Sequence, residues 1–538
     1  MPTFLLMVCL ILNGSNSCSE RHNKAIPRPP QTEVSLLNNL LEQVSKSEEP
    51  ALRIFLRLKI ATYLWNNPSG PVKPEAVAEA ALADIRDHEK EIPALYVNLF
   101  RRELVAQLKA HGFDVSAYVP TPTNPQQRTE FEVAYSLLGQ ENSVEKAVGI
   151  MRRKIADGND PGRIIVPFMQ RLEQSNPVEV LKLLETIMSA EEAHPGSISS
   201  GTLFGLKHLF IREQTPQDLQ HRYIAAVISR AGEKEASTGS LVDFYTILAD
   251  VGPGIKKQSP ELYYLATARL SELAGQVPSA TIERIAIDKR VRQSGDPLAQ
   301  LLSETEAVSD PSLKEELKIE AAQVALEKGQ IRTAIDLVAN VQTKTRIRAL
   351  WRDQFLEGAV ERAVAKGDVN TARFGIDQIR ATGIRSSALQ KLALYFQVNN
   401  DSARAREALN SALTLITASD DSVDKAVWLL DLAGSFVKVD RERAPKLVRA
   451  AVKVINKSPE ILRRAERGSD AQLSDVESMM KILYKLIPTF QALGNLNEPT
   501  ASDIAKDIQR QEFRLAAMFG ASTDLNAVDK NKQGVASK

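Results

Sequence analysis

One short pattern of residues occurs twice in the sequence, and its two copies begin at Ala325 and Ala363. The first reads ALEKGQIRTAIDLVANV and the second reads AVAKGDVNTARFGIDQI. In both copies a lysine precedes a glycine, as expected where a helix ends with a basic last turn and a left-handed glycine cap. In the second copy, Asp368 is a suitable N-cap for the helix that follows. The pattern therefore predicts a helical hairpin that is used more than once.

A small residue recurs one turn into the second helix of each predicted hairpin, where it lets two helices approach closely. Its positions are Ala334, Ala372, Ala405 and Ala444, with weaker upstream copies near Ala147 and Val180. A single hairpin cannot bury its apolar face alone, so hairpins repeated every 33 to 39 residues are expected to stack into an α-solenoid. We therefore predict an all-α fold, an α-α superhelix of antiparallel helical hairpins. A helical bundle whose Gly-Asp helix breaks merely look alike remains the alternative.

Composition narrows the classes of partner. The chain has 68 basic and 67 acidic residues and a net charge of +1. Nucleic acid binding requires a surplus of Lys and Arg on one face, so this balance argues against nucleic acid as the main partner. Outside the N-terminal leader, no run of apolar residues is long enough to cross a membrane as a helix.

The segment Ser387–Thr417 carries a pattern that can be compared with a known repeat family. Its first helix has a large residue, Leu, a small residue and an aromatic residue, at Leu389, Leu392, Ala393 and Phe396. Its turn is Asn400-Asp401. Its second helix has Ala, a large residue and Ala, at Ala405, Leu409 and Ala412. This unit resembles a tetratricopeptide repeat, and the resemblance extends over residues 313–455. The family's usual Trp, its first-helix Gly and its closing Pro are missing. The resemblance implies a superhelix whose concave face binds protein or peptide segments.

The chain is expected to divide at its proline-rich and polar breaks. The predicted segments are a signal peptide (1–19), a Pro-rich tether (20–32), an N-terminal helical region (33–120), a helical-hairpin region (128–310), tetratricopeptide-like repeats (311–460), C-terminal helices (461–520) and a disordered tail (521–538).

The leader holds both cysteines of the chain, Cys9 and Cys18, and an apolar run from Phe4 to Leu12. An apolar run of this length followed by small polar residues is typical of a secretory signal. We therefore predict export to the periplasm or the exterior of a bacterial cell, with a cytoplasmic protein as the alternative. Lipidation of Cys18 is a weaker hypothesis, because Ser15 stands where a lipidation motif has an apolar residue.

No motif for catalysis, metal binding or cofactor binding was found. None of the six histidines forms a His-Glu-x-x-His helix, and there is no phosphate-binding glycine loop and no Gly-x-Ser-x-Gly elbow. We therefore predict no catalytic, cofactor or metal residues, and a non-enzymatic scaffold for protein–protein interaction. The alternatives are an all-helical, carboxylate-dependent enzyme acting on glycans and a purely structural spacer.

Five arginines near the edges of the repeats are the candidate partner-binding residues: Arg346, Arg348, Arg352, Arg380 and Arg385. Guanidinium groups bind carboxylates in a bidentate manner, so arginines along a groove could hold acidic segments of a partner. The alternative is that they are surface arginines paired with carboxylates of the same chain.

Overall fold

The computed structural model describes residues 30–113, 143–458 and 470–523, except for short gaps at 68–71, 93, 159, 161, 163–164, 234–236, 257–258 and 342–344. The predicted signal peptide, nearly all of the tether and residues 524–538 of the predicted tail lie outside the described residues.

An N-terminal block is formed by the first four helices. They are α1 (Pro30–Ser45), α2 (Pro50–Asn66), α3 (Pro74–His88) and α4 (Ala94–Ala110), with a short 3-10 turn at Glu89–Glu91 after α3. Helix α2 is buried on almost every side, because apolar residues cover its whole circumference rather than one stripe. It is therefore the central helix of this block.

The other helices stack in two rows. The first helix of each hairpin belongs to the A row. This row contains α6 (Ile165–Ser175), α8 (Ser200–Phe210), α10 (Thr238–Ile255), α12 (Ser279–Gln293), α14 (Pro311–Glu327), α16 (Arg346–Ala365), α18 (Thr382–Val398), α20 (Val423–Val439) and α22 (Asp470–Lys506), which a kink at Asn497 divides into two helical segments. The B row contains α5 (Ser143–Ala156), α7 (Pro177–Ala193), α9 (Gln217–Arg230), α11 (Pro260–Ala274), α13 (Pro297–Ala307), α15 (Ile331–Ala339), α17 (Val369–Gln378), α19 (Ser402–Thr417), α21 (Ala444–Lys457) and α23 (Gln511–Ser522).

Most A-row helices contact both their hairpin partner and the next A-row helix. Within the described residues there is no β-strand. The predicted all-α solenoid is therefore confirmed.

The turns between the two helices of a hairpin have the predicted geometry. Gly329, Gly367 and Asn400 have positive φ angles of 75°, 74° and 60°. The same backbone hydrogen bond closes each turn. The N–H groups of Gln330, Asp368 and Asp401 donate to the carbonyl oxygens of Ala325, Ala363 and Phe396, with N to O distances of 2.8, 2.9 and 2.8 Å. This bond, from the residue after the left-handed position back to the last helical turn, defines a Schellman cap. Three successive hairpins therefore turn in the same way.

The recurring alanines lie where the helices are closest. Ala334, Ala372, Ala405 and Ala444 have no exposed surface. The fourth turn differs, because Asp440, the residue that follows α20, has a φ of −148° instead of a left-handed conformation. The hairpin of α20 and α21 thus keeps the small residue but uses a different turn.

The N-terminal block packs against the last two helices of the stack. The rings of Phe55 and Tyr484 have centroids 4.8 Å apart, and those of Tyr63 and Phe519 meet edge to face at 6.1 Å. These side chains belong to one continuous apolar core that includes α2, α22 and α23. The block therefore covers the C-terminal end of the stack.

Two glycines allow α22 and α23 to lie unusually close together. A Cβ added to Gly520 would lie 2.5 Å from the carbonyl oxygen of Ile487, and one added to Gly494 would overlap the carbonyl oxygen of Ala521. This packing extends α23 to Ser522, into the segment that the sequence predicts to be a disordered tail. Ala521 is held in the core by this packing, although the sequence around it is small and polar.

Candidate partner-binding surface

Polar side chains join successive A-row helices along most of the stack. We call this set of contacts the A-row seam; it consists of Lys207 with Asp250, Asp250 with Arg292, Arg284 with Glu320, Lys391 with Glu357, Ser435 with Gln390, and Lys485 with Asp431. Each contact can form only when the two adjacent helices have one particular axial offset. The seam therefore fixes how the A-row helices are aligned, and it gives any ligand on this row a rigid base.

Two groups of the seam show the balance between burial and pairing. Burial disfavours the charge of Lys391, but Glu357 and Glu361 lie 3.1 and 3.0 Å from its Nζ atom, and together they raise the pKa of Lys391. Burial likewise disfavours the charge of Asp250, but hydrogen bonds from Arg292 and Lys207 outweigh it and lower the pKa of Asp250. Both groups are thus held in their charged forms near neutral pH.

Apolar side chains are exposed on the side of the A row that faces away from the B row. Leu394 and Val398, one turn apart on α18, are 50% and 59% exposed. Ile347 and Leu350, at the start of α16, are 75% and 45% exposed. The two pairs lie near opposite ends of adjacent helices, since Ile347 and Leu350 begin α16 and Leu394 and Val398 end α18. We call the side of the A row that carries both pairs the open face. Large apolar side chains exposed one turn apart on a rigid base are a usual centre of a protein-binding surface.

Arginines also border the open face. Arg346 and Arg348 are exposed in the first turn of α16, on either side of Ile347. The side chain of Arg380 is exposed just before α18, and the Nη2 atom of Arg385 lies 2.8 Å from Oδ1 of Asp377. Four of the five predicted arginines thus lie near the surface at the starts of α16 and α18, and one of these four is paired within the chain.

Arg352 differs from the other four arginines, because its side chain is only 1% exposed. Its Nε and Nη2 atoms lie 3.0 and 2.6 Å from Oδ1 of Asp353. The Oδ2 atom of Asp353 in turn accepts hydrogen bonds from the backbone N–H groups of Arg380 and Ala381, at 3.1 and 2.7 Å. The pair Arg352–Asp353 therefore caps the start of α18 from inside the stack, and the guanidinium does not face a groove.

The apolar residues of the open face were missed in the sequence, although a signal was present. Leu394 and Val398 stand outside the helical stripe that buries Leu389, Leu392, Ala393 and Phe396. A second apolar stripe on the opposite side of an amphipathic helix indicates a surface with another use.

Within the described ranges, no group of three or more His, Cys, Asp or Glu residues is arranged to hold a metal ion. The same ranges also contain no helix that is long and apolar enough to cross a membrane.

The stacked hairpins and the seam define the class of the chain, which is a helical-repeat protein. No family model matches the sequence. No curated protein matches it either. Among solved structures, a "circular tandem repeat protein with novel repeat topology and enhanced subunit contact surfaces" is similar, at 14% identity over 94% of this chain and 97% of that one. Its TM-score is 0.13, so the class rests on the helix packing described above and not on this likeness.

Proposed function

We propose that this protein is a non-enzymatic scaffold that binds polypeptide segments along the open face of its A row, as a tetratricopeptide-like solenoid does. The exposed pair Leu394 and Val398 is the observation that carries the proposal. The pair lies on a helix that the seam holds in place through Lys391. A segment with apolar side chains would bury these two residues while its charged groups contact the polar rim.

The charges beside Leu394 and Val398 support this role. Glu361 lies on α16 next to Lys391, and Lys438 lies on α20, so the apolar pair has both signs of charge near it. Gly358 and Gly434 lie in α16 and α20, and no side chain or other helix lies within 4 Å of the Cβ position of either. The surface at these two glycines therefore has room for a bound segment.

Export to the bacterial cell envelope is part of the proposal. It is supported by the apolar leader Phe4–Leu12 and by the absence of cysteine after Cys18. Mass spectrometry of the N-terminal peptide, from protein purified from its native host, would identify the cleavage site and any lipid on Cys18. An intact leader on protein recovered only from the cytosol would contradict export.

Substitution of the apolar pair is expected to weaken the binding of peptide ligands. Peptides selected from a random display library on the wild-type protein would be tested against the double variant Leu394→Asp, Val398→Asp. Losing the burial of two half-exposed side chains removes about 2 kcal/mol of binding energy, and we therefore expect Kd to rise at least about tenfold. Isothermal titration calorimetry would measure the change.

The matched control is the double variant Tyr264→Asp, Leu265→Asp. These residues are 68% and 56% exposed but lie on α11 in the B row, so Kd should not change. Equal loss of affinity in both variants would show non-specific apolar binding. Failure of the selection to enrich any peptide, or turnover of a glycan by the purified protein, would overturn the proposal.

A further inference from the structure

A stripe of basic side chains runs along the outer face of α21 in the B row. Lys446, Arg449, Lys453 and Lys457 recur at helical spacing, and all four are exposed. They span about 17 Å along the helix axis at 1.5 Å per residue. The helix contains no acidic residue, and its opposite face is fully buried. We call these four residues the basic stripe.

Nothing within the described residues neutralises most of the basic stripe. Arg449 lies 3.3 Å from Asp507, and both side chains are more than half exposed. Lys446, Lys453 and Lys457 make no ion pair with any described residue. Three of the four positive charges therefore face solvent without a carboxylate from the part of the chain that the structure describes.

The stripe also destabilises the helix that carries it. Arg449 and Lys453 are four residues apart, as are Lys453 and Lys457, and like charges at this spacing repel each other. Lys446 lies in the first turn, where a positive charge opposes the helix dipole, and α21 has no side-chain N-cap. The pairing of Arg449 with Asp507 and the position of Lys457 in the last turn offset part of this cost. Lys446 and Lys453 have neither advantage within the described residues, and an anionic ligand would compensate their repulsion.

The preceding B-row helix, α19, carries charges of both signs. Its Arg406 lies 3.9 Å from Asp440, just before α21, and its Glu407 lies 3.8 Å from Arg373 of α17. On its other side, the stripe is bordered by Asp507. The unbroken positive surface is therefore one helix wide, about 10 Å.

The width of the stripe selects among anionic ligands. A membrane surface or a nucleic acid duplex is broader than one helix and would bring its negative charges against the bordering carboxylates. The apolar face of α21 is also buried, so it cannot insert into lipid. A single polypeptide segment has the matching width, and its carboxylates repeat every 6 to 7 Å in a helix (i, i+4) or an extended strand (i, i+2).

We propose that the basic stripe of α21 binds an acidic segment of a partner protein, with carboxylates repeating about every 6 Å. This site lies on the B row and is separate from the open face of the A row. The scaffold would then recognise apolar residues of a partner at the open face and acidic residues at the basic stripe.

The test uses a fluorescein-labelled peptide of alternating Glu and Ser, about ten residues long, which is long enough to follow the stripe. Its binding to the full-length protein would be measured by fluorescence anisotropy, with the triple variant Lys446→Gln, Lys453→Gln, Lys457→Gln as the comparison. We expect the triple variant to bind at least about tenfold more weakly, and wild-type binding to weaken as salt is raised from about 50 to 300 mM. Glutamine keeps helix propensity, so the variant should fold; circular dichroism would check this.

The control variant Lys146→Gln, Lys154→Gln, Lys366→Gln removes the same number of charges from other parts of the surface, and it should bind the peptide like wild type. Equal weakening by the two variants would overturn the proposal, because binding would then follow net charge. It would also be overturned if vesicles containing about one-third phosphatidylserine, or a DNA duplex, bound through the stripe more tightly than the peptide. The open-face variant Leu394→Asp, Val398→Asp should bind the acidic peptide normally, so failure at one surface is distinguishable from failure at the other.

Discussion

The variant Gly494→Ala is expected to lose about 3 kcal/mol of stability, because it forces two helix backbones apart. The added Cβ would overlap the carbonyl oxygen of Ala521, which is part of the backbone of α23 and cannot rotate away. Separating α22 from α23 also disturbs the core that α2 shares with them. Thermal unfolding followed by circular dichroism should show a lower midpoint, and hydrogen exchange should show faster exchange in α22, α23 and α2.

Gly434 provides the matched control, because its substitution is expected to raise stability instead of lowering it. Gly434 also lies inside an A-row helix, but no side chain or other helix lies within 4 Å of its Cβ position. Gly434→Ala should therefore stabilise the protein by about 0.5 to 1 kcal/mol through helix propensity alone. If Gly494→Ala and Gly434→Ala change the midpoint in the same direction, the close approach of α22 and α23 does not limit stability.

Substituting Asp353 is expected to have the other large effect, because Asp353 serves two buried groups at once. Asp353→Ala would leave the Arg352 guanidinium, which is 1% exposed, without its carboxylate. It would also remove the acceptor for the backbone N–H groups of Arg380 and Ala381 at the start of α18. Breaking a buried ion pair from one side costs about 3 to 5 kcal/mol, and urea denaturation should show a loss of this size.

Two comparison variants test the physical cause of this loss. Asp377→Ala removes a surface partner of Arg385 and should cost less than about 1 kcal/mol. The double variant Arg352→Met, Asp353→Asn removes both charges but keeps a side-chain oxygen for the backbone of α18, so it should recover most of the lost stability. If the double variant is as unstable as Asp353→Ala, the buried charge is not the cause.

The repeat could be predicted from the sequence because its signals are local. Gly329 and Gly367 fall where a left-handed cap ends a helix, and Ala372 falls one turn after the next helix begins. Each of these requirements involves residues close together in the chain. A short segment therefore contains enough information to specify the turn and the small residue that follows it.

The features that could not be predicted depend on residues far apart in the chain. Arg352 resembles the other arginines in the sequence, and its burial depends on the way α18 packs beside α16. The sequence therefore could not distinguish the buried Arg352 from the other four candidate arginines. The contact of Tyr63 with Phe519 likewise has no local signature, because any apolar helix could have covered α23.

The position of the N-terminal block has a consequence for synthesis on the ribosome. Tyr63 and Phe519 lie about 450 residues apart, so at 5 to 20 residues per second the block waits roughly half a minute or more for its partner helices. During this interval the apolar residues of α2 that later meet α22 and α23 lack their final cover. Contacts at this junction join residues that are far apart in the sequence. The stacked hairpins, in contrast, form mainly from contacts between residues close in the sequence. Chaperone binding and misassembly during translation should therefore concentrate on the first helices that emerge.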